Sequence, residues 1–168
     1  MKKLTLVFLA SLLALSIMVV PVAAKTIRTE YTGQETCYEM LGGREWVSDD
    51  GVWHFRDGVQ PCTDVTNDSR MTGEMEVTVN LNYKFTDFPV LFCGPMWDKV
   101  NLENEGGHWE GTWVGVRTAL EGYSIIRVVL RGYGGYEGLQ ARASYIRSSP
   151  DPTVPYDIVG VIIELGGK

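Results

Sequence analysis

The segment GGHWEGTWVGVRTALEGYSIIRVVLRGYGGYEGL, residues 106–139, decides the fold. Tryptophans, tyrosines and β-branched residues alternate here with glycine at a density no amphipathic helix tolerates. A glycine inside strand-like sequence marks a bulge, a corner or a close backbone approach. The stretch therefore reads as strongly bent β-structure. Alternation through His108–Arg117 places Trp109, Gly111, Trp113, Gly115 and Arg117 on one face and His108, Glu110, Thr112, Val114 and Val116 on the other. Large and small residues thus alternate on a single face, as the tapering interior of a small barrel requires. An aromatic–Glu–Gly triplet occurs twice, as Trp109-Glu110-Gly111 and Tyr136-Glu137-Gly138. The triplets are too short to define a repeat.

Working outward, period-two alternation recurs and helical periodicity is scarce. Met75, Val77, Val79 and Leu81 share one face, with Glu74, Glu76, Thr78 and Asn80 opposite. That pattern predicts a half-buried antiparallel strand. Further strands are predicted at Thr26–Tyr31, Val52–Arg56, Phe88–Cys93, Met96–Leu102, His108–Thr118, Ser124–Arg131, Tyr136–Ile146 and Val154–Leu165. Asp50-Gly51 predicts a hairpin turn after Glu45-Trp46-Val47. Asp57-Gly58 predicts a second turn, Gly94-Pro95 a break, and residues 63–70 a polar loop. The expectation is an all-β domain of about eight antiparallel strands with almost no helix, closed into a small up-and-down barrel. Closure leaves no exposed sheet edge.

Residues 1–24 read as a secretory signal peptide: Met1-Lys2-Lys3, an apolar run from Leu4 to Val20, and small residues ending at Ala24. Residues 25–168 then form one domain that is secreted, periplasmic or extracellular, with no stable membrane insertion once the leader is removed. The whole chain carries a formal net charge of −6, and without Lys2 and Lys3 the balance is −8. An acidic chain disfavours nucleic acid and anionic membrane surfaces as partners. Of Cys37, Cys62 and Cys93, the first two flank loop signals and are the expected disulfide. Cys93, in an apolar run, reads as a buried thiol. No CxxC or HxxxH spacing points to a metal, and no phosphate-binding loop or nucleophile elbow is present. No cofactor is expected.

The C-terminal half resembles the allene oxide cyclase-like barrels, a superfamily that includes dirigent proteins. The residues that carry the resemblance are Gly107-His108-Trp109-Glu110-Gly111, an apolar strand, and a turn of the form Gly-x-Gly-x-aromatic-x-Gly-Leu. That turn is Gly132-Tyr133-Gly134-Gly135-Tyr136-Glu137-Gly138-Leu139, with one inserted residue. The resemblance implies an eight-stranded antiparallel barrel, often a homo-oligomer. It carries over no catalytic motif. Members include cyclases of unsaturated fatty-acid epoxides, proteins that orient radical coupling and secreted bacterial proteins.

Two functions follow as expectations. The first is a non-enzymatic binding or structural module whose aromatic-lined interior takes an apolar small molecule, with Trp53, Trp109, Trp113 and Arg142 lining it. The second is a cyclase or isomerase acting on an apolar, lipid-like or polyketide-like substrate, with Glu110, Arg117 or Tyr136 stabilising charge. The only histidines, His54 and His108, lack a third ligand or an orienting group in the sequence, so structural roles are expected of both.

Overall fold

Alternation along each segment builds an almost entirely β structure, seen in a computed structural model that describes residues 26–85, 92–118, 123–149, 151 and 153–164. The strands are β1 (Ile27–Cys37), β2 (Arg44–Val47), β3 (Val52–Thr66), β4 (Gly73–Phe85), β5 (Phe92–Asn104), β6 (Gly107–Arg117), β7 (Ser124–Gly134), β8 (Leu139–Arg147) and β9 (Tyr156–Glu164). A 3-10 turn, Ser69–Met71, lies between β3 and β4. The strands form one sheet in the order β1-β9-β8-β7-β6-β5-β4-β3-β2, with every pairing antiparallel. β1 also pairs with β3, so the hydrogen bonds run in a ring.

The ring closes because β1 pairs with both β9 and β3, while β3 pairs with β4 along one edge and with β2 and then β1 along the other. The first part of β1, Ile27 to Glu35, pairs with β9, while its last residues, Gly33 to Cys37, pair with Cys62 to Thr66 of β3. Earlier in β3, the stretch from Trp53 to Arg56 pairs with β2. A register shift between Phe55 and Gly58, with Asp57 at φ 60°, lets β3 change direction between these roles. β2 is thus a short addition outside the ring, which accounts for nine strands against an expected eight.

Two expected interruptions are corrected. Asp57-Gly58 is a bulge within β3 and not a turn between strands. Gly94-Pro95 lies inside β5, where Pro95 pairs with Val116 of β6. On the other side, the β4–β5 ladder is interrupted between Leu81/Met96 and Lys84/Cys93. Proline cannot donate to a ladder, so it is accommodated where the ladder is already broken. Residues 63–66 belong to β3, so only the latter part of the expected polar loop is loop. The expected strand at Phe88–Cys93 falls largely outside the described residues, as does the leader. Cys93 is a half-buried free thiol and not a fully buried one; its Sγ lies 3.6 Å from the Lys84 carbonyl oxygen.

The alternation expected in β6 holds. Trp109 and Trp113 are buried, whereas Glu110, Thr112, Val114 and Val116 are exposed. Gly111 shows why glycine is needed on the inner face: a Cβ there would lie 1.9 Å from the Val129 carbonyl oxygen of β7. The backbone of one strand occupies the space a side chain would need. Gly33 plays the same part at the seam, where a Cβ would lie 2.3 Å from the Val65 oxygen.

One end of the ring is plugged. Trp109, Met71 and Leu102 are each fully buried there. The Trp109 indole stacks on Tyr136 at 5.2 Å and donates from Nε1 to the Arg70 carbonyl at 2.8 Å. Asn104 ties this floor together. Its Nδ2 donates to the carbonyls of Ser69, Arg70 and Thr72 at 3.3, 3.2 and 3.0 Å, and its Oδ1 accepts from the Tyr136 hydroxyl at 2.6 Å.

Candidate functional site

Above the plug, the interior of the ring holds a half-open cavity of about 670 Å³. That size lies within the roughly 300–1,000 Å³ range of sites for drug-sized molecules. Its wall comes from the inward positions of successive strands. Met75, Val79 and Leu81 of β4, Val100 of β5, Trp113 of β6 and Val128 of β7 give it an apolar surface. Period-two alternation places these residues inside: each lies on the face of its strand opposite the exposed acids and valines. Trp113 is fixed by a 2.9 Å bond from Nε1 to the Thr78 carbonyl of β4, the strand beyond β5. Indole N–H groups find such partners when buried, which leaves the ring face to the cavity.

The wall is not uniformly apolar. Glu35 of β1 lines the cavity and is 4% exposed. Asp64 of β3 is its direct register partner and is 0% exposed. The Tyr145 hydroxyl of β8 donates to Asp64 Oδ2 at 2.7 Å. Among the described residues, Asp64 Oδ1 and the Tyr31 hydroxyl are buried with no hydrogen-bond partner. Arg147 also lines the cavity, with its guanidinium over the Tyr156 ring at 4.5 Å. Taking carboxylates out of water disfavours their charge. Burial pushes Asp64 up to about 7 against the opposing pull of the Tyr145 hydrogen bond. Burial first and the charge of Asp64 second push Glu35 well above the ordinary range, while Arg147 pulls the other way. Burial likewise raises Tyr145, Tyr31 and Tyr156 and takes Tyr83 up to about 12. Two facing carboxyls in so dry a setting cannot both stay charged.

The disulfide sits one inward position along the same seam. Cys37 and Cys62 are register partners and are bonded to each other, as expected from the sequence. The Glu35 carboxylate and both sulfurs lie within 4.8 Å of one another. The disulfide takes up the thiolates that a metal would need as ligands there.

The residues expected at the site divide. Trp53, Trp113 and Arg117 line the cavity. Trp109 does not; it is four residues from Trp113 along β6, in the plug. Tyr136 belongs to the same plug, in the β7–β8 turn, with its hydroxyl committed to Asn104. Glu110 is on the outer face, with an oxygen 3.6 Å from His108 Nε2, and its register partner is the exposed Arg131. Arg142 is also exposed on the outer face, because β8 turns Ala141, Ala143 and Tyr145 inward. Glu137 is exposed as well. The histidines are held by separate neighbours: His54 by Asn82 and Ser48 at 2.7 and 3.1 Å, and His108 by stacking on Tyr133 at 5.2 Å.

Sequence reasoning missed Glu35, Asp64, Tyr145 and Arg147. A signal existed for Glu35: it holds the same parity as Tyr31, Gly33 and Cys37, so alternation extended through residue 37 would have turned it inward. Asp64 lay in a stretch read as polar loop.

The fold and site define a closed antiparallel β-ring with an apolar lumen and a buried acid pair in its wall. The chain matches no protein-family model, and no curated protein and no solved structure matches it. Among the described residues no helix is long and apolar enough to cross a membrane.

Proposed function

We propose that this is an exported small-molecule-binding barrel, of the allene oxide cyclase-like kind, whose lumen holds an apolar ligand without transforming it. The observation that carries the reading is the cavity of about 670 Å³ walled by Val79, Leu81, Val100, Trp113 and Val128. Concave, largely apolar cavities with a few convergent polar groups are the usual form of ligand sites. The leader at residues 1–24 and the seam disulfide support export, because disulfides persist in oxidising compartments. The glycine and aromatic positions of the family resemblance sit in β6, at the end of β7 and in the β7–β8 turn, where they shape the ring and its plug.

Titration with diphenylhexatriene, a hydrocarbon whose fluorescence rises in apolar surroundings, tests this reading. The expected result is saturable binding of one molecule per chain, with energy transfer from tryptophan. Absence of saturable enhancement counts against it.

One observation favours the enzymatic alternative: the Glu35–Asp64 pair places a proton-holding acid in the lumen wall, as general acid–base chemistry on an apolar substrate requires. Mass analysis of ligands recovered after incubation separates the two. The binding reading predicts recovery of unchanged ligand, and the cyclase or isomerase reading predicts a rearranged product.

A further inference from the structure

The acid pair also bears on which ligands the lumen accepts. Glu35 and Asp64 face each other across the β1–β3 seam. They differ in what surrounds them. Asp64 is wholly buried and accepts the Tyr145 hydroxyl, a bond that steadies a carboxylate. Glu35 lines the lumen, and among the described residues no hydrogen bond engages its carboxyl. Of the two, Glu35 is the acid that a shared proton suits better, and it is the one that lines the cavity. We propose, resting on the lumen-binding reading above, that Glu35 is a protonated hydrogen-bond donor in the cavity wall and selects neutral apolar ligands that carry a carbonyl or ether oxygen.

The charged and titratable groups around Glu35 come from every neighbouring strand. On β1 itself is Tyr31, and on β3 are Asp64 and the disulfide sulfur of Cys62. β8 presents Tyr145 and Arg147, β9 presents Tyr156, and Arg117 of β6 acts on Tyr156 from further round the ring. The tyrosines are neutral at ordinary pH because burial raises them all. Arg147 favours an ionised Glu35, but its guanidinium lies over Tyr156. Dehydration and Asp64 outweigh it, so Glu35 is held well above its ordinary value. A hydrocarbon ligand would leave the Glu35 donor unmatched. A ligand oxygen would satisfy it, and ionising Glu35 would replace that bond with repulsion between two lone-pair-bearing oxygens.

Two probes test this. Prodan is a neutral naphthalene ketone whose emission moves to the red when its carbonyl accepts a hydrogen bond, and diphenylhexatriene has no polar atom. Prodan is expected to bind the wild-type chain with red-shifted emission near about pH 5. Its affinity should fall about tenfold once the pH is high enough to ionise Glu35, the equivalent of losing one hydrogen bond. Glu35→Leu should blue-shift the emission and weaken prodan about tenfold at the lower pH. Glu35→Gln keeps a donor that cannot ionise, so it should retain prodan and flatten the pH profile. Diphenylhexatriene should bind all three proteins saturably, and Glu35→Leu at least as tightly as wild type because no donor is left unmatched, which also shows that the variants are folded. If diphenylhexatriene binds but prodan is indifferent to Glu35→Leu and to pH, the donor role is overturned and the lumen reading stands. If neither probe binds the wild-type chain, both fall.

Discussion

Removing the Cys37–Cys62 bridge by the double substitution Cys37→Ala/Cys62→Ala should destabilise the protein strongly, because the bridge fastens the seam that closes the ring. The two cysteines are 25 residues apart in sequence. The chain-entropy relation for a loop of that size gives about 12 cal/mol/K, or about 3.5 kcal/mol near room temperature. The seam it holds is short, five register pairs from Gly33/Thr66 to Cys37/Cys62, against nine between β1 and β9. Without the bridge, β1 remains attached through β9 while its last residues are free to leave β3. Guanidinium unfolding of the oxidised wild-type and double-variant chains measures the difference. The variant should keep its fold, since domains of this size hold roughly 5–15 kcal/mol in reserve. Amide exchange should accelerate first at residues 33–37 and 62–66. A second readout follows from the register: Glu35 and Asp64 lie just beside the bridge, so water entering an open seam would bring both acids back towards ordinary values. A loss below about 1 kcal/mol, far under the chain-entropy value, with no change in seam exchange would refute the idea that the β1–β3 contact needs the bridge to close the ring. Cys93→Ala serves as the control. Its thiol is half exposed, so a change within about 0.5 kcal/mol is expected.

Gly111→Ala should cost about 1–3 kcal/mol in thermal or chemical unfolding, because its Cβ would meet the Val129 carbonyl, backbone that cannot rotate away. Asn104→Ala should cost at least about 2 kcal/mol, since it strips the Tyr136 hydroxyl and three carbonyls of the plug of their partner. Stability should fall as pH rises from about 4 to about 7, with a slope approaching about 1.4 kcal/mol per pH unit for one proton. The sign follows from Asp64: its folded value is raised from 3.8 to about 7, so its contribution is full below the unfolded value and lost as pH climbs through the folded one. Asp64→Asn should remove Asp64's share of that slope and leave the share that Glu35 contributes; a wild-type profile that is already flat contradicts the assignment. Glu110→Gln and Arg142→Ala, both on the outer face, should change stability by no more than about 0.5 kcal/mol and leave probe binding untouched.

The architecture was legible where alternation was strict. β6 and the Met75–Leu81 part of β4 could be divided into inner and outer faces residue by residue, and the structure keeps that division. The hairpin at Asp50-Gly51 and the Cys37–Cys62 pairing were legible for similar local reasons. Legibility failed where a local signal has two structural meanings. Asp-Gly makes a turn when the chain reverses, yet at Asp57-Gly58 it makes a bulge in a continuing strand. Gly-Pro ends a strand that needs its ladder on both sides, yet Pro95 sits where one ladder is interrupted. The twin aromatic–Glu–Gly triplets illustrate the same point. Gly111 is required by a neighbouring carbonyl inside β6, whereas Gly138 adopts φ 86° in the β7–β8 turn.

The site was harder to read because it is assembled by the long-range β1–β3 pairing. Glu35 and Asp64 meet across the closure of the ring, a contact invisible to any window along the chain. Glu110 has tryptophans on either side of it in sequence, but neighbours two apart in a strand point together while adjacent residues point apart. Trp109 and Trp113 are inside for the same reason that Glu110 is outside. Buried acids were therefore to be sought among residues sharing parity with Tyr31 and Cys37.

The central claim is that the lumen itself is the binding site. Val79→Trp places an indole in the cavity from β4, where Val79 is 4% exposed and lines the wall. Diphenylhexatriene titration of this variant, with near-ultraviolet circular dichroism to verify its fold, tests the claim most directly. The account predicts one saturable site per chain in the wild type and loss of that site in a folded Val79→Trp chain. Undiminished binding by the folded variant would place the ligand elsewhere and contradict it.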